Sequence, residues 1–346
     1  MISRRVALSL TAAFALAPQC ARAADEMTTV NVGIGLTAAD APIMLANAMG
    51  YFKEQGITAN FMQFATGSNM MSSLGTGQLD VAAGAPSAAL YNAIAEHIDF
   101  KMVADKGSTP AGHGSQPLMI RKDLVTSGAY KTAKDLKGLT IAEGAQGTAG
   151  AAIVAHAAAL GALKYSDVKH TYLPFPQMVA ALENKAIDGA VLSEPLATMA
   201  ERSGAAVRVM PDDVAYPDQQ LLVLMYGVPF ITTKRPLAEK FMLAYLKGVR
   251  TYDAATAGGK LHGPNAPAIA KIIGDTMKIS DLTLLTSMVT PAYDPNGKLN
   301  EKSLGDDLAF FKAQGLITGE VDLSKAIDGS FAATAAKSLG PYKPSA

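Results

Sequence analysis

Few side chains in this chain of 346 residues have the type and spacing to make or break a bond. Its single cysteine, Cys20, lies close to the N-terminus. The five histidines, His97, His113, His156, His170 and His262, stand at no metal-ligand spacing. No G-x-S-x-G is present, and Gly297-Lys298 lacks both the spacing and the Ser or Thr of a phosphate loop. Gly33-Ile34-Gly35-Leu36-Thr37-Ala38 follows a strand and fits G-x-G-x-x-A, but the next strand ends in Phe64-Ala65-Thr66, where a dinucleotide site needs an acid. What remains is a set of small polar residues in short loops, which is the chemistry of binding. They are Ser68, Asn69, Ser87, Gln146 and Thr148, with Asp40, Glu194 and the aromatic Phe175.

These residues fall in six loops: 36–42, 65–69, 84–87, 144–148, 173–177 and 192–195. Each follows a short apolar run that reads as a strand, and several lead directly into a helix. Open α/β sheets bind ligands outside the carboxyl ends of their strands. The helix starts there offer free N–H groups and a partial positive charge. Asp40 and Glu194 are the only charges in the six loops, which hold no Lys or Arg. Two carboxylates would repel a strong anion, so the reading leans to a neutral or amine-bearing solute. Glu194 would accept hydrogen bonds from it and Phe175 would stack on a ring. Each residue also has a plainer role: Asp40 and Glu194 as helix caps, Phe175 as a packed loop aromatic, and the small polar residues as caps.

The elements that must position these loops read as α/β throughout. Strands are expected at 30–34, 58–64, 80–83, 139–142, 169–173 and 189–192, separated by helices at 42–51, 69–75, 87–97, 148–160, 177–184 and 196–202. The two halves align at one offset: Asp80 with Asp188, Met70 with Met178, Leu74 with Leu182 and Ala82 with Ala190 are each 108 apart. A repeated βαβαβα unit predicts two similar lobes. The Gly-, Ser-, Thr- and Pro-rich stretch 106–116 separates the halves. Runs 117–120 and 221–226 read as strands crossing between lobes, with Tyr226 at the second crossing. Helices at 236–254, 266–277 and 304–314 then return to the first lobe. The expected division is residues 24–115 with 222–346 as one lobe and 116–221 as the other.

Arg4 and Arg5, the apolar run Val6 to Ala17, and Ala21-Arg22-Ala23 form the pattern of a cleaved secretory signal over residues 1–23. The apolar run is shorter than the roughly 20 residues of a membrane span. Cleavage would remove Cys20, leaving no thiol for a disulfide, a metal site or a nucleophile. It would also remove three arginines, leaving 27 basic and 30 acidic residues. That balance gives no footprint for nucleic acid. A chain of this length exceeds the usual single core and fits two lobes.

Several segments carry a resemblance. Gly50-Tyr51-Phe52-Lys53-Glu54-Gln55-Gly56-Ile57 and Leu74-Gly75-Thr76-Gly77-Gln78-Leu79-Asp80-Val81 resemble segments of the nitrate/sulfonate/taurine and thiamine-precursor type of ABC solute-binding proteins. So do Asp135-Leu136-Lys137-Gly138, Ala180 to Asn184 leading to Asp188-Gly189-Ala190 and Glu194-Pro195, and Phe310 to Ile317 with Val321-Asp322. The similarity runs from about Val30 to about Leu339. It implies a two-lobed type II periplasmic-binding-protein fold with the ligand in the cleft. It also implies a periplasmic monomer with no cofactor, whose partners are a small-molecule solute, a membrane permease and its ATPase. A eukaryotic relative makes a thiamine precursor with a Cys-rich motif, and the absence of cysteine beyond Cys20 sets that role aside. The expected mechanism is hinge closure on the solute near 107–120 and 215–227. The alternatives are a small anion held by helix N-termini, a sensor subunit, or an enzyme on the same fold.

Overall fold

The computed structural model describes residues 27–65 and 67–343, without the side chain of Ser68. The expected signal segment and Cys20 therefore lie outside the described residues.

Two five-stranded sheets organise the chain. The first is built from β1 (Thr28–Ile34), β2 (Ile57–Gln63), β3 (Val81–Gly84), β4 (Phe100–Ser108) and β10 (Gln220–Gly227), in the order β2-β1-β3-β10-β4. The second contains β5 (Leu118–Arg121), β6 (Thr140–Glu143), β7 (Lys169–Tyr172), β8 (Gly189–Val191) and β9 (Ala206–Met210), in the order β7-β6-β8-β5-β9. The two orders are the same pattern. Three parallel strands are followed by an antiparallel strand that has arrived from the other lobe, then by an edge strand. The chain leaves the first sheet after Ser108 and returns at Gln220, so two segments join the lobes.

The offset of 108 has a physical basis. Asp80 Oδ2 accepts the N–H of Asn31 at 2.9 Å, and Asp188 Oδ2 accepts the N–H of Thr140 at 2.9 Å. Each aspartate ties the start of its lobe's third strand to its first. Met70 and Met178, and Leu74 and Leu182, are buried beneath their respective sheets. The matched pairs thus mark equivalent positions in two lobes.

Helices cover both faces of each sheet, as parallel strands require. On the first lobe, α1 (Ala41–Ala48), α6 (Arg235–Asp253), α7 (Ala266–Met277), α8 (Leu282–Ser287) and α10 (Ser330–Leu339) enclose one core. On its other face lie α2 (Ala88–Ala95) and α9 (Glu301–Ala313). The second lobe carries α3 (Ala149–Leu160) on one face, and α4 (Phe175–Glu183) and α5 (Leu196–Ser203) on the other.

Two strands depart from the sequence reading. The stretch from Lys106 was expected to be linker, yet β4 continues to Ser108 and Lys106 is 2% exposed. The edge strand β9 was not expected. Both carry charges that blur the apolar periodicity, because Asp105, Lys106 and Arg208 are placed by polar partners.

Candidate ligand-binding cleft

The carboxyl ends of β1, β3, β6 and β8 face one another across the lobes, and a cavity of about 90 Å³ lies between them. Its wall is largely small or apolar, with Met70, Phe175, Leu221, Leu222 and Pro291 the larger members. Backbone packs tightly on the first-lobe side. A Cβ on Gly67 would sit 2.9 Å from the Ala85 nitrogen, and one on Gly84 would sit 2.8 Å from the Gly67 Cα. Glycine at these two positions lets Gly67 lie against the end of β3.

Five of the eight expected residues line the cavity: Asp40, Ser87, Thr148, Phe175 and Glu194. Gln146 and Asn69 are exposed and lie outside its lining, and the side chain of Ser68 lies outside the described residues. Ser87 caps α2, accepting the N–H of Leu90 at 3.2 Å. Thr148 precedes α3 and donates its hydroxyl to the Ala145 carbonyl at 3.1 Å. Beyond it, the first-turn N–H groups of Ala149 and Gly150 have no acceptor within their own helix, and both residues line the cavity. Phe175 is the first residue of α4 and half-buried in the wall.

The two carboxylates are not the free anions that the loop sequences implied. Asp40 is 1% exposed, its Oδ1 lies 2.6 Å from Lys106 Nζ, and its Oδ2 accepts the N–H of Thr37 at 2.9 Å. Glu194 is also 1% exposed. Its Oε1 accepts from Arg208 at 2.8 Å and from the Thr198 hydroxyl at 2.9 Å, and its Oε2 accepts the Thr198 N–H at 3.0 Å. Glu194 therefore closes the first turn of α5. Both cations come from β4 and β9, the strands missing from the sequence reading. The two carboxylates therefore do not repel an anion as bare charges would, because a cation within salt-bridge distance offsets each. Lys106, with Ser115, Gln116 and Ser193, also lines the cavity. A lysine two residues beyond the apolar run Met102–Ala104 was the available signal.

The lobes touch at several points. Ala38 donates its N–H to the Glu194 carbonyl at 3.2 Å, and Ala88 donates to the Gly147 carbonyl at 2.7 Å. At one rim, Arg202 on α5 reaches Asp281 at 2.9 Å, the Thr283 carbonyl at 3.1 Å and the Ser287 hydroxyl at 2.8 Å, all around α8 of the other lobe. In another contact between the lobes, the Tyr165 ring meets Phe310 of α9 edge-on at 5.5 Å. The opposite face of Tyr165 stacks on His170 at 3.8 Å. His170 Nδ1 lies 2.7 Å from a Glu143 carboxylate oxygen and Nε2 lies 2.9 Å from the Tyr165 carbonyl. Both partners are acceptors, so both ring nitrogens carry protons in this arrangement. Burial pulls the imidazolium down, but the hydrogen bonds to Glu143 and Tyr165, with the Glu143 charge, outweigh it and raise its pKa above the ordinary value.

Among the described residues no histidine or cysteine lines the cavity. No group of three His, Cys, Asp or Glu among them is arranged to hold a metal. No described helix is long and apolar enough to cross a membrane.

Comparison with solved structures gives the same architecture. The alkanesulfonate-binding protein SsuA of Xanthomonas axonopodis pv. citri, bound to MOPS, superposes with a TM-score of 0.67 at 16% identity, covering 87% of this chain and 98% of that one. The periplasmic nitrate-binding protein NrtA of Synechocystis PCC 6803 gives 0.76 at 14% identity, covering 92% of both chains. The desulfurization enzyme DSZB, as a cysteine-to-serine mutant in complex with biphenyl-2-sulfinic acid, gives 0.60 at 13% identity, covering 89% of this chain and 98% of that one. At these identities the likeness is one of fold. No curated protein matches the sequence. The profile of the NMT1-like family matches residues 23–257, well over half of the chain. Two matched lobes, a cavity at their strand ends and that profile together place this chain in the NMT1-like family, on the two-lobed α/β fold of periplasmic binding proteins.

Proposed function

We propose that this chain is the exported solute-binding component of an ABC importer, closing its lobes on a compact organic solute without altering it. The observation that carries this reading is a cavity walled by both lobes, at the strand ends where α/β sheets take ligands. It supports capture by closure because direct bonds between lobes, Ala38 to Glu194 and Ala88 to Gly147, flank the lining. The proposed partners are a membrane permease and its ATPase, which read the closed shape.

For the solute, Met70, Phe175, Leu221 and Leu222 favour an apolar body, and a ring lying on Phe175 is compatible with the wall. The amine-bearing half of the sequence reading loses its support, since every oxygen of Asp40 and Glu194 already has a protein partner. A neutral solute keeps it. A small anion gains from the first-turn N–H groups of α3 and from the loss of the repulsion argument.

The test is a thermal-unfolding screen of protein refolded to strip carried solute, against heteroaromatics, amides, carboxylates, sulfonates, nitrate and amines. A ligand at 100 times its Kd adds about 2.7 kcal/mol. Stabilisation by one chemical class, with the compound recovered unchanged, supports the reading. Conversion of the compound by the protein alone would favour an enzyme, and a panel without any stabilising compound would refute solute capture.

A further inference from the structure

We infer that Lys106 reads the head group of the solute, sharing its ammonium between Asp40 and an acceptor oxygen of the ligand, so that the cleft selects an organic carbonyl or acid over an amine. This deepens the solute-binding reading and rests on it.

Among the described residues Lys106 is the only basic one in the lining of the cavity, and it reaches the wall from β4 on the first lobe. An ammonium group has three N–H donors. Among the described residues Lys106 Nζ donates to the Ala39 carbonyl at 3.2 Å and forms an ion pair with Asp40 Oδ1 at 2.6 Å. No other described residue accepts a hydrogen bond from Nζ, and Lys106 lines the cavity. The Ala39 carbonyl is also shared, since it accepts the Tyr293 hydroxyl at 3.2 Å.

The arrangement is hard to explain as a tie between β4 and the Asp40 turn alone. Burying an ion pair is costly, and well-packed apolar side chains of similar volume do as well or better for stability alone. A charge kept in water-excluded surroundings with one donor unanswered is suited to a ligand atom. The chemistry of the other walls agrees. Glu194 has both oxygens engaged, Thr148 donates inward to Ala145, and the first turn of α3 presents N–H groups. The cavity therefore offers donors and no unpaired carboxylate. A charge-assisted hydrogen bond from Lys106 is the strongest of those donors. Asp40 then sets the ammonium's direction and offsets its charge, which lets a neutral carbonyl bind as well as an acid.

The experiment uses refolded protein and matched probes that share a skeleton and differ only in the head: butyrate, butyramide and butylamine, then benzoate, benzamide and benzylamine. Binding is measured by thermal shift and titration calorimetry. Lys106→Met removes the ammonium and keeps the stem. Asp40→Asn keeps the ammonium and removes its partner. Lys106→Met with Asp40→Asn restores neutrality and guards against a single variant that fails to fold. The expected result is that the acid or the amide stabilises the parent while the amine does not. The affinity should fall about tenfold or more in both proteins lacking the ammonium, and by less in Asp40→Asn, which keeps the donors but loses the group that directs them. Binding of the amine alone, or equal losses in Asp40→Asn and Lys106→Met, would overturn the role of Lys106 while leaving solute capture standing. A parent that binds none of these probes and nothing in the wider panel would overturn solute capture itself.

Discussion

Gly248, in the middle of α6, lies where the two requirements on a helical glycine conflict. A Cβ built there would be 2.2 Å from the carbonyl oxygen of Pro42, 2.9 Å from the Ala46 Cβ and 3.2 Å from the Ala46 nitrogen, all on α1. An ordinary carbon-to-oxygen approach is about 3.4 Å, so Gly248→Ala must part the helices by about 1.2 Å. The obstacle is backbone, which no rotamer change relieves. Overpacking of this kind costs about 1–3 kcal/mol and sometimes more. Alanine returns about 1 kcal/mol through helix propensity. The expected net is a loss of about 1 kcal/mol, rising with the rigidity of the two helices. Gly305, within α9, has nothing within 4 Å of a built Cβ and no left-handed φ, so the same substitution there should gain about 1 kcal/mol. Urea unfolding followed by circular dichroism would show the two midpoints moving in opposite directions at unchanged slope. The effect should also reach the cleft, because α1 begins one residue after Asp40; Gly248→Ala should weaken solute binding while Gly305→Ala leaves it unchanged. Two variants shifting stability in the same direction would refute the packing argument.

Three further outcomes follow from the site. Lys106→Met alone leaves a buried carboxylate without its counter-ion and should cost about 3–5 kcal/mol, whereas the double variant with Asp40→Asn should recover most of it; additive losses in chemical unfolding would contradict the pairing. Arg202→Ala removes one lobe-to-lobe clasp whose members are partly exposed, so a modest two- to fivefold weakening of solute binding is expected, about 0.5–1 kcal/mol; small-angle scattering should show a more open ligand-free form, and an unchanged profile and affinity would contradict it. His170 has a pKa raised in the folded protein by Glu143 and the Tyr165 carbonyl against the pull of burial. Its stabilisation is therefore complete below about pH 6.5 and is lost as pH rises through the raised native value. The stability difference between parent and His170→Gln should be largest near pH 5.5 and shrink towards pH 9; a difference that grows with pH would reverse the assignment.

The amino-acid order is enough to read the elements whose pattern is local. Short apolar runs between helical segments specified parallel strands, and the constant spacing of Asp80 and Asp188 exposed two similar lobes because both aspartates tie one strand to the next. It also determined which loops meet the cleft, because strand ends and helix starts are set by chain order, and five of its eight site residues line the cavity. The electrostatics of the cleft are legible in the folded chain alone. Lys106 and Arg208 are 66 and 14 residues from the acids they pair with, Asp40 and Glu194, and come from strands whose charges masked them. The charge of a cavity is a sum over groups that folding brings together. The loops alone showed two anions; the folded chain offsets both and leaves a lysine donor at the wall.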